Sequence, residues 1–161
     1  LRALERAIAE AARAAAAGAA GLAPCLARLP VDGPAARHGA GVWEAVMLGI
    51  ADRLAENLRR ADTLARIGTA EFAVCLPRVT PAEANAIVRR LRRAVAAAPV
   101  ETPAGPLEVV VRVGLAATPR TAEAPPGTEA DRAVALLASA GRLLGDAPRA
   151  AERGIAHAAH P

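Results

Sequence analysis

Hydrophobic residues recur at helical spacing in four stretches of the chain. The strongest pattern follows Gly41, where an apolar stripe that includes Val46, Ile50 and Leu54 is flanked by polar residues. Thr80, Pro81 and Glu83 form a helix-start signal, with an N-cap residue, a proline in the first turn and a capping box. The pattern predicts helices over 1–17, 42–60, 81 to about 97, and 131–144.

Short apolar runs lie between these helices and are bounded by glycine and proline. They predict strands over 22–29, 63–67, 71–76, 107–117 and 154–157, with loops over 31–41 and 119–129. The second and third strands flank Gly68, Thr69 and Ala70 and therefore form a hairpin. The order α-β-α-β-β-α-β-α-β predicts an α/β sandwich, a sheet flanked by helices.

The amino-acid composition is typical of a globular domain that does not bind nucleic acid. With 161 residues, 53% of them hydrophobic and 22% charged, the chain fits one globular domain over 1–161. It begins inside a predicted helix without methionine, so we expect it to be part of a longer protein. The 20 basic residues are all arginines, but they are dispersed and offset by 16 acidic residues. Aromatic stacking partners are nearly absent, and we expect no nucleic-acid binding.

The sequence predicts neither a membrane segment nor a metal site made of histidine or cysteine. The alanine-rich stretch 11–27 is interrupted by charge, glycine and proline, which predicts neither a membrane span nor a signal peptide, and we expect a cytoplasmic protein. His38 lacks a partner at ligand spacing, and His157 and His160 lie near the end of the chain, so we interpret all three as surface residues. Cys25 and Cys75 each lie in an apolar run, which indicates buried free thiols, although a disulfide stays open as an alternative.

The segment from Arg66 to Pro77, with sequence RIGTAEFAVCLP, resembles the hairpin that names the GGDEF family. That family has Arg, an aliphatic residue, Gly-Gly-Asp/Glu-Glu-Phe and then an apolar strand closed by proline. The resemblance extends over nearly the whole chain in element order and spacing. It implies a nucleotidyl-cyclase-like sandwich with a central mixed β-sheet and a hairpin at the signature. It also implies a relationship to diguanylate cyclases, which condense two GTP into cyclic di-GMP.

The same resemblance implies that the substrate site has been lost. The family's metal-binding Asp falls on Ala27, and the acidic third residue of the signature falls on Ala70. A methyl group cannot bind the two Mg²⁺ ions that this chemistry needs. Thr69 stands at the second signature glycine, after the retained Gly68. We interpret Glu71, which is retained, as a structural residue of the hairpin.

Positions for guanine and phosphate recognition are also changed. The family's Asn and Asp in the loop after the first strand fall on Ala35 and Ala36, and its phosphate-binding Lys falls on Pro148. Glu44 conserves the acidic character of a further guanine-recognising position. We therefore expect no catalytic residues, no metal site and no cofactor. A residual enzyme or GTP-sensing domain is disfavoured.

A second motif matches the family's allosteric site. Arg59 and Asp62 form RxxD, and the supporting third arginine of that site falls on Arg90. In the family, the arginine contacts guanine and phosphate of cyclic di-GMP, and the aspartate accepts from the guanine edge. We expect both side chains on one side of a helix end. The alternative is a solvated helix end, because RxxD is short and the chain is rich in arginine.

The sequence thus predicts a catalytically inactive GGDEF domain that acts as a cyclic di-GMP effector. The competing hypothesis is a ligand-free module for protein interaction or dimerisation. Under the first hypothesis cyclic di-GMP is the partner, and a homodimer or a ligand-bridged dimer is expected. The downstream protein partner is not indicated by any residue.

Overall fold

A computed structural model describes residues 25–32, 38–117 and 155–158, together with helical positions at Ala135 and Ala138. Within these residues lie strands and helices in the order β1 (Cys25–Asp32), α1 (Ala40–Glu56), β2 (Thr63–Gly68), β3 (Glu71–Leu76), α2 (Pro81–Ala96), β4 (Val110–Val111), β5 (Val113–Ala117) and β6 (Ile155–Ala158). The predicted first helix and the 119–129 loop lie outside the described residues, as does the last helix apart from Ala135 and Ala138.

The strands form one mixed sheet in the order β2-β3-β1-β5-β6, with β4 paired to the end of β1. All pairs are antiparallel except β5 with β6. This arrangement confirms the predicted sandwich with a mixed sheet. The terminal strand is confirmed with a shift of one residue, because 154–157 was predicted and Ile155–Ala158 is observed.

The predicted bounds of the first strand were wrong, since β1 continues through Pro30 to Asp32. Pro30 fits here because its carbonyl accepts from the Arg112 N–H at 3.1 Å, on the side where the neighbouring strand is interrupted. A proline has no N–H to donate and is tolerated where the ladder breaks. The predicted bounds of the 107–117 strand were also wrong, because β4 begins only at Val110 and Arg112 separates it from β5.

Helix α1 also differs from its prediction, beginning at Ala40 and ending at Glu56 rather than spanning 42–60. Gly39 precedes it with φ of 92°, a conformation that favours glycine. Asn57 ends it, and its side-chain amide donates to the Arg53 carbonyl at 2.9 Å. The residues after Asn57 therefore form a turn and not a last helical turn.

Helix α2 matches its prediction closely. The Thr80 hydroxyl accepts from the Glu83 N–H, and the Glu83 carboxylate accepts from the Thr80 N–H, so both halves of the capping box are present. The Thr80 N–H and hydroxyl lower the pKa of Glu83, with a smaller contribution from the charge of Arg59.

The two helices pack side by side on one face of the sheet and share a core with it. Gly49 of α1 comes so close to the end of α2 that an added Cβ would lie 2.6 Å from Val100 Cγ1. Arg53 donates to the carbonyls of Val95, Ala98 and Pro99, and so covers the C-terminal end of α2. The antiparallel packing is held by these contacts.

Both cysteines are buried on central strands, as predicted, with exposures of 1% each. Cys25 is paired with Leu76, and Cys75 is paired with Leu26, so the two thiols project from opposite faces of the sheet. This geometry leaves them free and removes the disulfide alternative. Burial raises the pKa of Cys25 to about 11 and that of Cys75 to about 12. In the described part of the chain, no helix is long and apolar enough to span a membrane.

Candidate functional site

Ala27 lies in the middle of the sheet and is fully buried. It is paired with Val74 of β3 on one side and with Leu115 of β5 on the other. Its methyl group belongs to the core that the sheet shares with α1 and α2. Ala35 and Ala36 lie outside the described residues, as does Pro148.

The β2–β3 hairpin turns through Thr69 and Ala70, between the paired residues Gly68 and Glu71. None of these four residues has a positive φ, so the backbone of this turn does not require glycine at Thr69. The Val31 N–H of β1 donates to the Ala70 carbonyl at 2.8 Å and ties the turn to the end of β1. The hairpin prediction is confirmed, including the bounds of β3.

Glu71 is held by a bidentate contact. Arg28 Nε donates to Oε1 and Nη2 donates to Oε2, both at 2.6 Å. The side chains are 25% and 19% exposed, so the pair is less screened by water than a surface ion pair. Arg28 and Glu71 project from the sheet face opposite to Ala27, because side chains alternate along β1. This pair gives Glu71 a structural contact between β1 and β3.

Arg66 joins the hairpin to α1. Its Nη1 donates to both carboxylate oxygens of Glu44, at 2.7 and 2.9 Å. Its Nε and Nη2 donate to the carbonyls of Gly68 and Thr69, at 3.1 and 3.0 Å. One guanidinium therefore engages the acidic residue at the start of α1 and two carbonyls of the signature turn.

Trp43 adds a second link to the same turn. Its indole Nε1 donates to the Thr69 carbonyl at 2.8 Å, and its ring packs against the core. The sequence carries no local signal for this hydrogen bond, because Trp43 and Thr69 are 26 residues apart. Trp43, Glu44 and Arg66 form what we call the hairpin clamp, a set of contacts that closes the space between α1 and the signature turn.

The Arg59–Asp62 motif lies in the turn between α1 and β2, not on a helix end as predicted. The Arg59 N–H donates to Asp62 Oδ2 at 2.8 Å, and the Asp62 N–H donates to the Arg59 carbonyl at 3.0 Å. Asp62 therefore stabilises the turn with one of its carboxylate oxygens. The helix-end prediction failed because Asn57 and Asp62 satisfy the backbone locally, as such residues do at turns.

Arg90 is brought to the same turn by the packing of the helices. Its Nη2 donates to the Asn57 carbonyl at 2.8 Å, which leaves the rest of its guanidinium available for other contacts. Arg59 and Arg90 are both exposed. Within the described residues, no hydrogen bond or ion pair engages the Arg59 guanidinium. Arg90 therefore contacts the first residue of the turn that also contains Arg59 and Asp62.

Comparison with known proteins identifies the family. The model of the diguanylate cyclase GGDEF domain matches residues 36–142. The chain belongs to the GGDEF family. It is 38% identical over 80 residues to the diguanylate cyclase DgcP of Pseudomonas aeruginosa, a match that covers 50% of this chain and only 12% of DgcP.

Solved structures agree with this assignment of fold. The GGDEF domain of YfiN from Pseudomonas aeruginosa is similar with a TM-score of 0.78 and 26% identity, over 96% of this chain and 94% of that one. The GGDEF domain of DgcB from Caulobacter crescentus, solved in complex with cyclic di-GMP, is similar with a TM-score of 0.74 and 20% identity, over 89% and 81% of the two chains. The second similarity concerns the fold alone.

A GGDEF domain that acts as a cyclase implies Mg²⁺, and the described residues at the positions matched to the family's metal ligands do not fit that ion. Magnesium takes oxygen ligands, usually including carboxylates, whereas Ala27 and Ala70 offer none. Elsewhere in the described residues, no three His, Cys, Asp or Glu side chains come together as a metal site. Glu71 of the signature and Glu44 of α1 are each held by an arginine.

Proposed function

We propose that this GGDEF domain has no cyclase activity and binds cyclic di-GMP at Arg59, Asp62 and Arg90. The observation that carries the proposal is the contact between Arg90 and the Asn57 carbonyl. That contact joins an arginine of α2 to a turn that already holds an arginine and an aspartate. Under this proposal, the two guanidinium groups and the carboxylate together receive a ligand with two phosphates and two guanines.

The chemistry of each group suits such a ligand. A guanidinium donates in parallel to O6 and N7 of guanine, and it also neutralises phosphate. A carboxylate has about four acceptor positions, so Asp62 can keep its bond to the Arg59 N–H while it accepts from the ring N–H and amine of guanine. Arg90 uses one N–H for Asn57 and has others for phosphate.

The inactivity proposal rests on different residues. Two-metal catalysis at neutral pH requires carboxylates that hold the ions against the phosphates. The alanines at 27 and 70 remove two of those carboxylates, and the hairpin clamp engages the one acidic side chain retained for guanine recognition. The domain would therefore respond to cyclic di-GMP without making it.

A ligand-free interaction module is the second candidate. It is favoured by one observation, which is that Asp62 already has a structural use in the turn. Calorimetric titration of cyclic di-GMP into the 161-residue chain separates the two. The proposal expects saturable heat in the wild type that is strongly reduced in Arg59→Ala and unchanged in Arg60→Ala. Absence of heat at saturating nucleotide favours the interaction module.

A further inference from the structure

The exposed face of α1 carries acidic residues where a helix does not favour them. Asp52 and Glu56 lie in the last part of α1, close to the negative end of the helix dipole. They are spaced i, i+4, so their like charges also repel along one face. Both are exposed, and no ion pair in the described part of the chain involves them.

The exposed face of α2 has the opposite pattern. Arg89 and Arg93 are also spaced i, i+4 and exposed, and no ion pair among the described residues involves them. The two helices pack against the same face of the sheet, so their outer faces form one surface. This surface, which we call the helix face, is acidic along α1 and basic along α2.

Contacts between the helices fix which parts lie side by side. Arg53 contacts the carbonyls of Val95, Ala98 and Pro99, and Arg90 contacts Asn57. The acidic end of α1 therefore runs beside the basic end of α2. Consider two copies whose helix faces meet, related by a two-fold axis that runs parallel to the helices. In this arrangement α1 of one copy lies over α2 of the other. Asp52 and Glu56 would then face Arg89 and Arg93 of the second copy, twice in each dimer.

We propose that the helix face docks on the helix face of a second copy of this chain, without any nucleotide. The two-fold arrangement is isologous and therefore closed, so it gives a dimer and not a filament. Leu48, which is 59% exposed one turn before Asp52, adds an apolar contact. Exposed alanines on both helices allow close approach, at positions that include Ala55, Ala86 and Ala96.

The size of the face sets the expected strength. Helices of 17 and 16 residues are about 25 Å long and pack about 10 Å apart, so the face measures roughly 25 Å by 20 Å. A stable interface of standard size buries about 800 Å² on each partner. The dimer is therefore weak, and it depends on charge, so salt dissociates it.

Sedimentation velocity of the nucleotide-free 161-residue chain tests this interface. The acid-reversed variant carries Asp52→Arg and Glu56→Arg, and the base-reversed variant carries Arg89→Glu and Arg93→Glu. We expect the wild type to dimerise with concentration at low ionic strength and to dissociate in high salt. Each variant alone should be monomeric, whereas an equimolar mixture of the two should form a heterodimer because opposite charges face each other again.

Three results would overturn the proposal: a monomeric wild type throughout the low-salt series, a variant that dimerises alone as the wild type does, or a mixture that stays monomeric. Circular dichroism checks that the variants are folded. If a charge-reversed variant is not folded, the neutral variant Asp52→Asn with Glu56→Gln is measured instead. This neutral variant should dimerise more weakly than the wild type. Cyclic di-GMP titrated into the acid-reversed variant, which keeps Arg59, Asp62 and Arg90, tests the nucleotide site separately.

Discussion

In the signature hairpin, the carbonyls of Gly68, Thr69 and Ala70 each accept a hydrogen bond from elsewhere in the chain. Glu44 and Glu71 are likewise held by arginines. At the turn from Arg59 to Asp62 the polar groups are used differently. The turn is stabilised by backbone groups and one carboxylate oxygen, and no described residue engages the Arg59 guanidinium.

The two regions therefore differ in whether their polar groups already have partners within the domain. Around the hairpin, side chains that could face a substrate now stabilise the domain, because each finds a partner within it. At the turn, no described residue engages the Arg59 guanidinium, and we propose that this group binds cyclic di-GMP. Two questions therefore decide whether a family motif can bind its ligand. The first is whether the motif's residues are retained, and the second is whether their polar atoms already have hydrogen-bond partners within the domain.

Cyclase activity is the property on which we expect the largest effect. We expect no cyclic di-GMP from GTP with Mg²⁺ or Mn²⁺, because Ala27 and Ala70 supply no ligand for either ion. Restoring the signature alone, with Thr69→Gly and Ala70→Asp, should not produce activity, since Ala27 remains. Chromatographic detection of product made by the wild type would contradict the account of the hairpin.

The next effect concerns Arg59. Its replacement by alanine should cost about 1–3 kcal/mol of binding free energy, a loss of roughly ten- to hundredfold in affinity. Arg60→Ala is the matched control, since it removes the same charge from the neighbouring position. Calorimetry measures both. Equal losses in the two variants would reduce the site to a general attraction between arginines and phosphates.

Asp62 can be tested for its two uses separately. Asp62→Asn keeps an oxygen that can accept from the Arg59 N–H, but it presents an amide donor to the guanine donors. We expect Asp62→Asn to keep the turn and to lose about 1–3 kcal/mol of binding free energy, because guanine donors stay unpaired. Asp62→Ala should lose as much binding and also lower the free energy of unfolding.

Chemical denaturation measures the free energy of unfolding of both Asp62 variants. If Asp62→Asn binds cyclic di-GMP as tightly as the wild type, the carboxylate serves the turn alone.

The smallest effects should come from the hairpin clamp and should be confined to stability. Trp43→Phe removes one hydrogen bond to the Thr69 carbonyl and should lower the free energy of unfolding by about 0.5–1.5 kcal/mol. Cyclic di-GMP affinity should not change, because the clamp and the Arg59 turn are separate surfaces. A loss of affinity in Trp43→Phe would show that the two regions are coupled.

Much of the fold was predictable because its signals are local. The capping box at Thr80 and Glu83 and the hairpin around Thr69 and Ala70 are each specified by adjacent residues. The two errors in element bounds had different causes, one a contact between distant residues and the other local side-chain hydrogen bonds. The extension of β1 through Pro30 depends on Arg112, and the end of α1 depends on local bonds of Asn57 that periodicity does not register.

For the candidate site, residue identities could be predicted but their polar partners could not. The sequence indicates that Glu44 and Glu71 are retained, yet it does not show that Arg66 and Arg28 engage them. The same limit applied to Trp43, whose hydrogen bond to Thr69 joins residues far apart in the chain. Pairing of this kind depends on strand register and helix packing, which single residues do not encode.

We propose that the Arg59 turn binds a nucleotide and that the signature hairpin does not. Calorimetric titrations of one preparation with cyclic di-GMP and, separately, with GTP and Mg²⁺ test it most directly. The account predicts saturable heat with cyclic di-GMP, lost in Arg59→Ala and kept in Arg60→Ala, and no saturable heat with GTP. Saturable binding of GTP with no response to cyclic di-GMP would contradict it.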